Sequence, residues 1–371
     1  MNRDDIQLKA QEFLNSKSLN LRVGLGISMG VGKTLICLNY IDSLDKPDYK
    51  VLVVAPKISI FRSWKDEMNK HNLSHLINNI QFTTYISLPK KDLKLYDLVI
   101  LDECHNLLNK HDSVLSTFTG GIIGVTGTPP KNISSEKGTM VNKYCPILFT
   151  YVTDNAVTDG ILNDYVIYIH MIELSEDNNI YKAHYKNKGG YYTSELKDYN
   201  YWCNRIDSAT ASRDIQMKRI MRMKAMMNYE SKEKYAKELF EYITDKVILF
   251  ANTKEQAKKL CNHSYYSGNK LSEENLDLFK KGVIKKLSCV LQLSEGISIP
   301  DLKQGIIMHA YGNERKSSQR LGRMLRLKPD EKGIIHILCY KDTVDETWVK
   351  KAIEDYDPNK IKWVHKKAVL R

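Results

Sequence analysis

The 371 residues contain no metal cluster or disulfide framework that can be recognised from spacing. Seven cysteines (Cys37, Cys104, Cys145, Cys203, Cys261, Cys289 and Cys339) are scattered, odd in number and without a CxxC pair. That excludes a zinc ribbon and a disulfide-stapled secreted scaffold, and fits thiols kept reduced, most of them as small core residues. Proline is scarce, at nine residues, and no low-complexity tract or internal repeat interrupts the chain. With 42% hydrophobic residues, a disordered chain is excluded as well. No apolar run approaches the roughly 20 residues of a bilayer-spanning helix. Met1-Asn2-Arg3-Asp4-Asp5 does not read as a secretory leader, so an intracellular, cytoplasmic protein without membrane contact is expected. An acidic excess is also missing: 56 Lys and Arg face 44 Asp and Glu, a formal charge of +12. That balance favours a polyanionic partner without naming one. The length suits two domains, each with its own core.

The most informative residues are Ser28-Met29-Gly30-Val31-Gly32-Lys33-Thr34. An apolar run of strand length precedes them, and Leu35 to Ile41 repeats apolar residues at helical spacing. Strand, glycine loop, Lys-Thr and helix form the context of a phosphate-binding loop. Glycines let backbone N–H groups approach phosphate oxygens, and the helix N-terminus adds favourable partial charge. In that reading Met29, Gly30, Val31 and Gly32 wrap the nucleotide, Lys33 reaches the β- and γ-phosphates of ATP, and the Thr34 hydroxyl ligates Mg2+. The first glycine of the eight-residue pattern is replaced by Ile27.

A second signal lies downstream. Leu98-Val99-Ile100-Leu101 reads as a buried parallel strand and ends in Asp102-Glu103-Cys104-His105. Carboxylates at the C-terminal end of such a strand stand at the sheet edge where phosphate-loop ligands bind. Asp102 is expected to hold Mg2+, and Glu103 to deprotonate the water attacking the γ-phosphate. Gln7, ahead of Phe13, has an amide able to donate and accept, suited to reading adenine; a plain surface residue is the equal alternative.

Taken in order, these stretches resemble the motifs of superfamily 2 helicases and nucleic-acid translocases, in a form similar to Swi/Snf-type translocases and phage UvsW-like helicases. The phosphate loop resembles motif I. Val51 to Lys57 with Trp64-Lys65-Asp66-Glu67 resembles motif Ia, and Thr83-Thr84-Tyr85 motif Ib. Asp102 to His105 resembles motif II of the DExH kind, here DECH, and Thr126-Gly127-Thr128-Pro129 motif III. Val247 to Ala251 with Thr253-Lys254 resembles motif IV, and Glu295-Gly296-Ile297-Ser298-Ile299-Pro300 motif V. Gln319-Arg320-Leu321-Gly322-Arg323-Met324-Leu325-Arg326 matches QRxGRxxR, motif VI, in full.

The resemblance implies an α/β fold of two tandem RecA-like parallel-sheet domains with a nucleotide cleft between them. It implies Mg-ATP hydrolysis, with Gln319, Arg323 and Arg326 acting across the cleft and Gly296 on the nucleotide. Arginine suits that task because its planar fork meets charge developing at the γ-phosphate. Thr126, Thr128 and His105 would couple hydrolysis to motion. Lys57, Thr84, Thr253 and Lys254 would contact the nucleic acid, with DNA expected ahead of RNA. Ser298 stands where many relatives carry an acid, so that acid's contact is not carried over. A monomeric DNA helicase is the leading reading, its target chosen by protein partners or by nucleic-acid shape. The alternatives are a double-strand translocase that separates no strands, an RNA helicase, and a nucleotide-gated clamp with little turnover.

The first domain is expected over 1–153, with strands at 23–27, 51–55, 80–84, 98–101 and 122–126. The second is expected over 154–371, with strands at 165–169, 247–251, 288–293, 304–310 and 333–338, a helix over 317–325, and a helix and basic tail to close. A Tyr- and Lys-rich helical insertion over 173–228 interrupts it. Interleaved basic and aromatic residues there can follow a backbone and stack on bases, but packing on the domain's own core is the preferred reading. Met217, Ile220, Met221 and Lys224 are spaced for one helix face, again expected to pack on the core.

Overall fold

A computed structural model describes residues 2–28, 30–160, 163–183, 189–290, 299–310, 331–354 and 356–365. The expectations for Met29, Gly296, Ser298, Gln319, Arg323, Arg326 and the helix over 317–325 lie outside the described residues. Two compact units are present, and the chain passes from one to the other between Asp164 and Tyr165.

In the first unit six parallel strands, β1 (Arg22–Ile27), β2 (Val51–Ala55), β3 (Ile80–Thr84), β4 (Leu98–Asp102), β5 (Gly121–Thr126) and β6 (Ile147–Tyr151), stand in the order β3-β2-β4-β5-β1-β6. β2 and β4 are buried along their whole length, which explains their unbroken aliphatic sequences. The helices α1 (Arg3–Asn15), α2 (Lys33–Ser43) and α3 (Ser59–Lys70) belong to this unit. Asn2 caps α1 in a reciprocal box, each partner's side chain meeting the other's backbone N–H at 2.8 Å. Gly24 lies opposite Gly124 in the β1–β5 register. A Cβ on Gly124 would fall 2.5 Å from Cys145 Sγ and 3.1 Å from Cys104 Cβ, so two buried cysteines occupy the space a side chain would need.

The sixth strand, β6, had no counterpart among the expected strands. It pairs with β1, and the Tyr151 hydroxyl donates to Asp159 at 2.8 Å, holding the segment after it to the first unit. The first compact unit accordingly includes the chain from Met1 to Asp164.

The second unit has a seven-stranded parallel sheet of order β11-β12-β10-β13-β14-β7-β15. Its strands are β7 (Tyr165–Ile172), β10 (Val247–Ala251), β11 (Ser264–Tyr265), β12 (Lys286–Val290), β13 (Gln304–Ile307), β14 (Gly333–Tyr340) and β15 (Ile361–His365). β15 corrects the expected tail: Ile361 to His365 pair with β7 along the sheet edge.

The 173–228 stretch is not wholly helical. It contains the antiparallel pair β8 (Ile180–Ala183) and β9 (Gly190–Thr193), then helices Glu195–Asp207 and Ser212–Met227. Tyr199 and Met226 join the core of the unit, as packing predicted. Met217, Ile220 and Met221 do not: they are exposed at 56%, 37% and 41%. The inner stripe of that helix is set instead by Met226 and the residues a turn or more before it, which leaves the outer stripe in solvent. Among the described residues no helix is long and apolar enough to cross a membrane.

Candidate active site

The order of the first sheet sets β1 beside β5, and β5 beside β4. The loops after these three strands therefore share one sheet edge, the C-terminal edge, where ligands of open parallel sheets bind.

After β1 the backbone turns through two left-handed glycines, Gly30 (φ 90°) and Gly32 (φ 103°), and enters α2 at Lys33. Only glycine takes these torsions readily. At Gly32 a Cβ would also fall 2.4 Å from Gln7 Nε2. That amide donates to the Val31 carbonyl at 2.7 Å, so α1 is tied onto the phosphate loop. Gln7 thus stands at the phosphate loop, bonded to its backbone. Lys33 Nζ donates to the Ile27 carbonyl at 3.2 Å, arching back over the loop. Thr34 is the second residue of α2 and partly buried.

Asp102 ends β4 and is buried. Trp64 Nε1 donates to its Oδ2 at 2.9 Å, and the Tyr85 hydroxyl donates to its backbone carbonyl at 3.0 Å. Burial pushes the carboxyl up to about 6, and Glu103 adds to the push; the Trp64 hydrogen bond and the Lys33 charge oppose it. The donor chemistry fits a divalent cation: the Asp102 carboxylate, oriented by Trp64 at the end of β4, and the Thr34 hydroxyl in the first turn of α2 are hard oxygen ligands at one sheet edge.

Glu103 takes a left-handed backbone (φ 52°, ψ 56°), a strained state for a non-glycine residue. Its Oε2 accepts from the Thr126 hydroxyl at 3.2 Å and lies 3.3 Å from His105 Nδ1. His105 Nδ1 is 2.8 Å from Thr126 Oγ1 and 3.5 Å from Thr128 Oγ1, and the Thr128 N–H donates to Thr126 Oγ1 at 3.0 Å. Thr126 has one hydroxyl proton and gives it to Glu103. The contact with His105 therefore requires the proton on His105 Nδ1, directed at the same oxygens. Four residues named from sequence, Glu103, His105, Thr126 and Thr128, thus form one network.

Lys57, beyond β2, is exposed, and Thr84 ends β3 with its hydroxyl donating to Ser87 Oγ at 3.3 Å. Thr253 and Lys254 lie in the second unit after β10. The Thr253 hydroxyl caps the helix Lys254–Leu260 by accepting from the Gln256 N–H at 3.1 Å, and Lys254 is exposed.

Two residues of the site went unassigned in the sequence. Trp64 and Tyr85 sat inside the stretches read as track contacts, yet both turn inward to hold Asp102. The available signal was chemical: a buried Trp or Tyr needs a partner for its N–H or O–H. His111 extends the chain, accepting from the Leu108 N–H at 3.0 Å through Nδ1 and donating through Nε2 to the Tyr85 carbonyl at 2.9 Å.

Comparison with known proteins gives two family matches: the type III restriction enzyme res subunit over residues 6–131 and the helicase conserved C-terminal domain over residues 230–328. The chain is 24% identical over 348 residues to the DNA 3'-5' translocase XPB2 of Sulfurisphaera tokodaii, covering 85% of this chain and 77% of that protein. In fold it is similar to the ATP-dependent type ISP restriction-modification enzyme LlaBIII bound to DNA, with a TM-score of 0.62 and 16% identity. That match covers 98% of this chain and only 31% of the larger one. It is also similar to S. cerevisiae Dbp5 bound to RNA and ADP BeF3, with a TM-score of 0.60 and 14% identity over 97% of this chain and 89% of that one. The paired helicase matches and the two parallel-sheet units agree: this chain belongs to superfamily 2 of the helicases and translocases and is an ATP-hydrolysing enzyme.

Proposed function

We propose that the protein is a Mg-ATP-driven motor on DNA that remodels or unwinds branched or duplex substrates, working as a monomer in the cytoplasm. The observation that carries this reading is the network joining Glu103 to Thr126, His105 and Thr128 beside the phosphate loop. A nucleotide-gated clamp needs nucleotide binding but no acid held by its own positioning shell.

ATP would lie with its phosphates on the N–H groups of Gly30 to Gly32 and on Lys33, with Gly296, Gln319, Arg323 and Arg326 completing the site on the strength of their motifs. Thr34 and Asp102 would hold Mg2+, which supplies charge neutralisation along the β- and γ-phosphate oxygens. Trp64 keeps one Asp102 oxygen oriented at that edge. Glu103 takes the proton of the attacking water. Loss of the γ-phosphate changes what Glu103 faces, and Thr126 and His105 carry that change into the loop after β5, where Thr128 lies.

The name of the Sulfurisphaera relative supports DNA over RNA, whereas the fold is shared with an RNA-bound protein and is neutral. The same name favours a second reading, translocation on a duplex without strand separation. ATPase rates with single-stranded DNA, duplex, forked DNA and RNA test the main proposal; strongest stimulation by RNA would overturn the assignment to DNA. Strand displacement run beside triplex displacement separates the two DNA readings. Displacing the triplex strand while leaving forks annealed would select the translocase.

A further inference from the structure

The two most exposed large apolar side chains among the described residues are Ile86, at 75%, and Ile58, at 73%. Single exposed isoleucines are ordinary on protein surfaces. These two are neighbours by topology. β2 and β3 run parallel with Ala55 opposite Thr84, and the isoleucines stand just beyond these paired ends on the C-terminal edge of the sheet. Exposed cations flank them in sequence: Lys57 precedes Ile58, Arg62 follows on α3, and Lys90 lies after Ile86. The Thr84 hydroxyl belongs to the same edge.

Isolated apolar side chains set among cations do not match the centre of a protein interface, which is depleted in charge. They match a nucleic-acid strand, in which charged phosphates alternate with uncharged sugars. We infer that Ile58 and Ile86 form a sugar-reading ledge that selects DNA over RNA, with the phosphates on the neighbouring cations. The inference rests on the reading of this chain as a nucleic-acid motor and adds the residues that choose the sugar. An isoleucine against the 2′ carbon of deoxyribose displaces water at no polar cost. Against ribose, the same contact strips water from a 2′-hydroxyl and offers it no partner.

The test compares oligodeoxyuridine with oligouridine of equal length, which differ only at the 2′ position. Binding to the full chain is measured by fluorescence anisotropy, for single strands and for the same strands annealed to their complements. The wild type should prefer the deoxy strand, and the I58S/I86S double variant should lose about tenfold of that preference, the scale of one unpaired hydroxyl. Leu95, 61% exposed just before β4 and so on the opposite edge of the same sheet, supplies the control. L95S should keep the wild-type ratio, and melting temperatures should stay together because all three side chains are exposed. A deoxy-to-ribo ratio unchanged in I58S/I86S overturns the ledge while leaving the motor intact. Wild-type protein that binds neither polymer in either form sinks the motor reading itself, and the ledge with it.

Discussion

Each unit buries an aspartate, and the two are treated in opposite ways. In the first, Asp102 is held by the Trp64 indole and shows no ion pair among the described residues, while burial and Glu103 push it up to about 6. In the second, Asp345 is fully buried against Lys232, itself fully buried. That ammonium also meets the Leu338 carbonyl and His309 Nδ1 at 3.3 Å each, and sits 4.2 Å from the centre of the Tyr340 ring. The second unit pairs its buried charge directly, and the first leaves its aspartate to the Trp64 indole and the charge of Lys33. Buried charge alone therefore does not mark a functional site. A buried acid at the C-terminal sheet edge, oriented by a neutral donor and without a direct ion pair among the described residues, does so far better.

The largest expected effect tests whether the first unit's acids work together with Arg326. Arg326→Ala should lower turnover by roughly a thousandfold, on the scale of arginine fingers, with ATP affinity within a few-fold. Equal losses in affinity and turnover would show an ordinary binding residue. Next, Lys232→Met should cost about 3–5 kcal/mol of folding stability by leaving Asp345 buried and unpaired. Urea melts with hydrogen exchange followed on β14 would read this, and replacing both partners by apolar residues should recover most of it. A single variant as stable as wild type would erase the contrast between the two aspartates.

Glu103→Gln should do the reverse, cutting turnover about a hundredfold or more while ATP binding and melting stay unchanged. Retained turnover would remove Glu103 from the chemistry.

The second unit also buries two neutral histidines. His170 Nε2 lies 2.9 Å from His336 Nδ1, and the Tyr235 hydroxyl lies 2.7 Å from His170 Nδ1. Burial pushes His170 down to about 4, and burial with the neighbouring histidine pushes His336 down to about 3. Unfolded histidines titrate near 6.5, so the unfolded chain binds these protons first. Stability is then fully present above about pH 6.5 and falls as the pH drops from there towards 4. Its slope approaches two protons, about 2.7 kcal/mol per pH unit. His336→Gln should flatten the slope by about one proton; a slope unmoved in urea melts from pH 7.5 to 5 would refute the assignment. The smallest effect concerns the track. Lys57→Ala should weaken binding evenly across sequences and reduce the salt slope of log Kd by about one unit, and an unchanged slope would take Lys57 off the phosphates.

The contrast between the units also explains what could be read from the chain alone. The central strands were legible because buried parallel strands leave continuous aliphatic runs, as in Val51-Leu52-Val53-Val54. β6 was not: its Ile147, Phe149 and neighbours alternate in exposure on a sheet edge, a weaker signal. β15 hid behind lysines for the same reason, with Lys362 and Trp363 exposed. In the site, residues contiguous in a motif were found, whereas Trp64, 38 positions from its partner Asp102, was not. Local spacing names a side chain, but only the fold decides which way it turns.

The buried thiols noted around Gly124 have a practical consequence. Cys37, Cys104, Cys145, Cys289 and Cys339 are all buried, leaving Cys203 and Cys261 as the partly accessible ones. Maleimide dyes should therefore ignore most of the native sulfur, and removing two residues should leave a nearly silent background. A pair of surface cysteines, one introduced into each unit, could then carry donor and acceptor fluorophores. Single-molecule energy transfer during ATP turnover would turn the packing that fills a missing side chain into a quiet background for testing whether the distance between the two units changes.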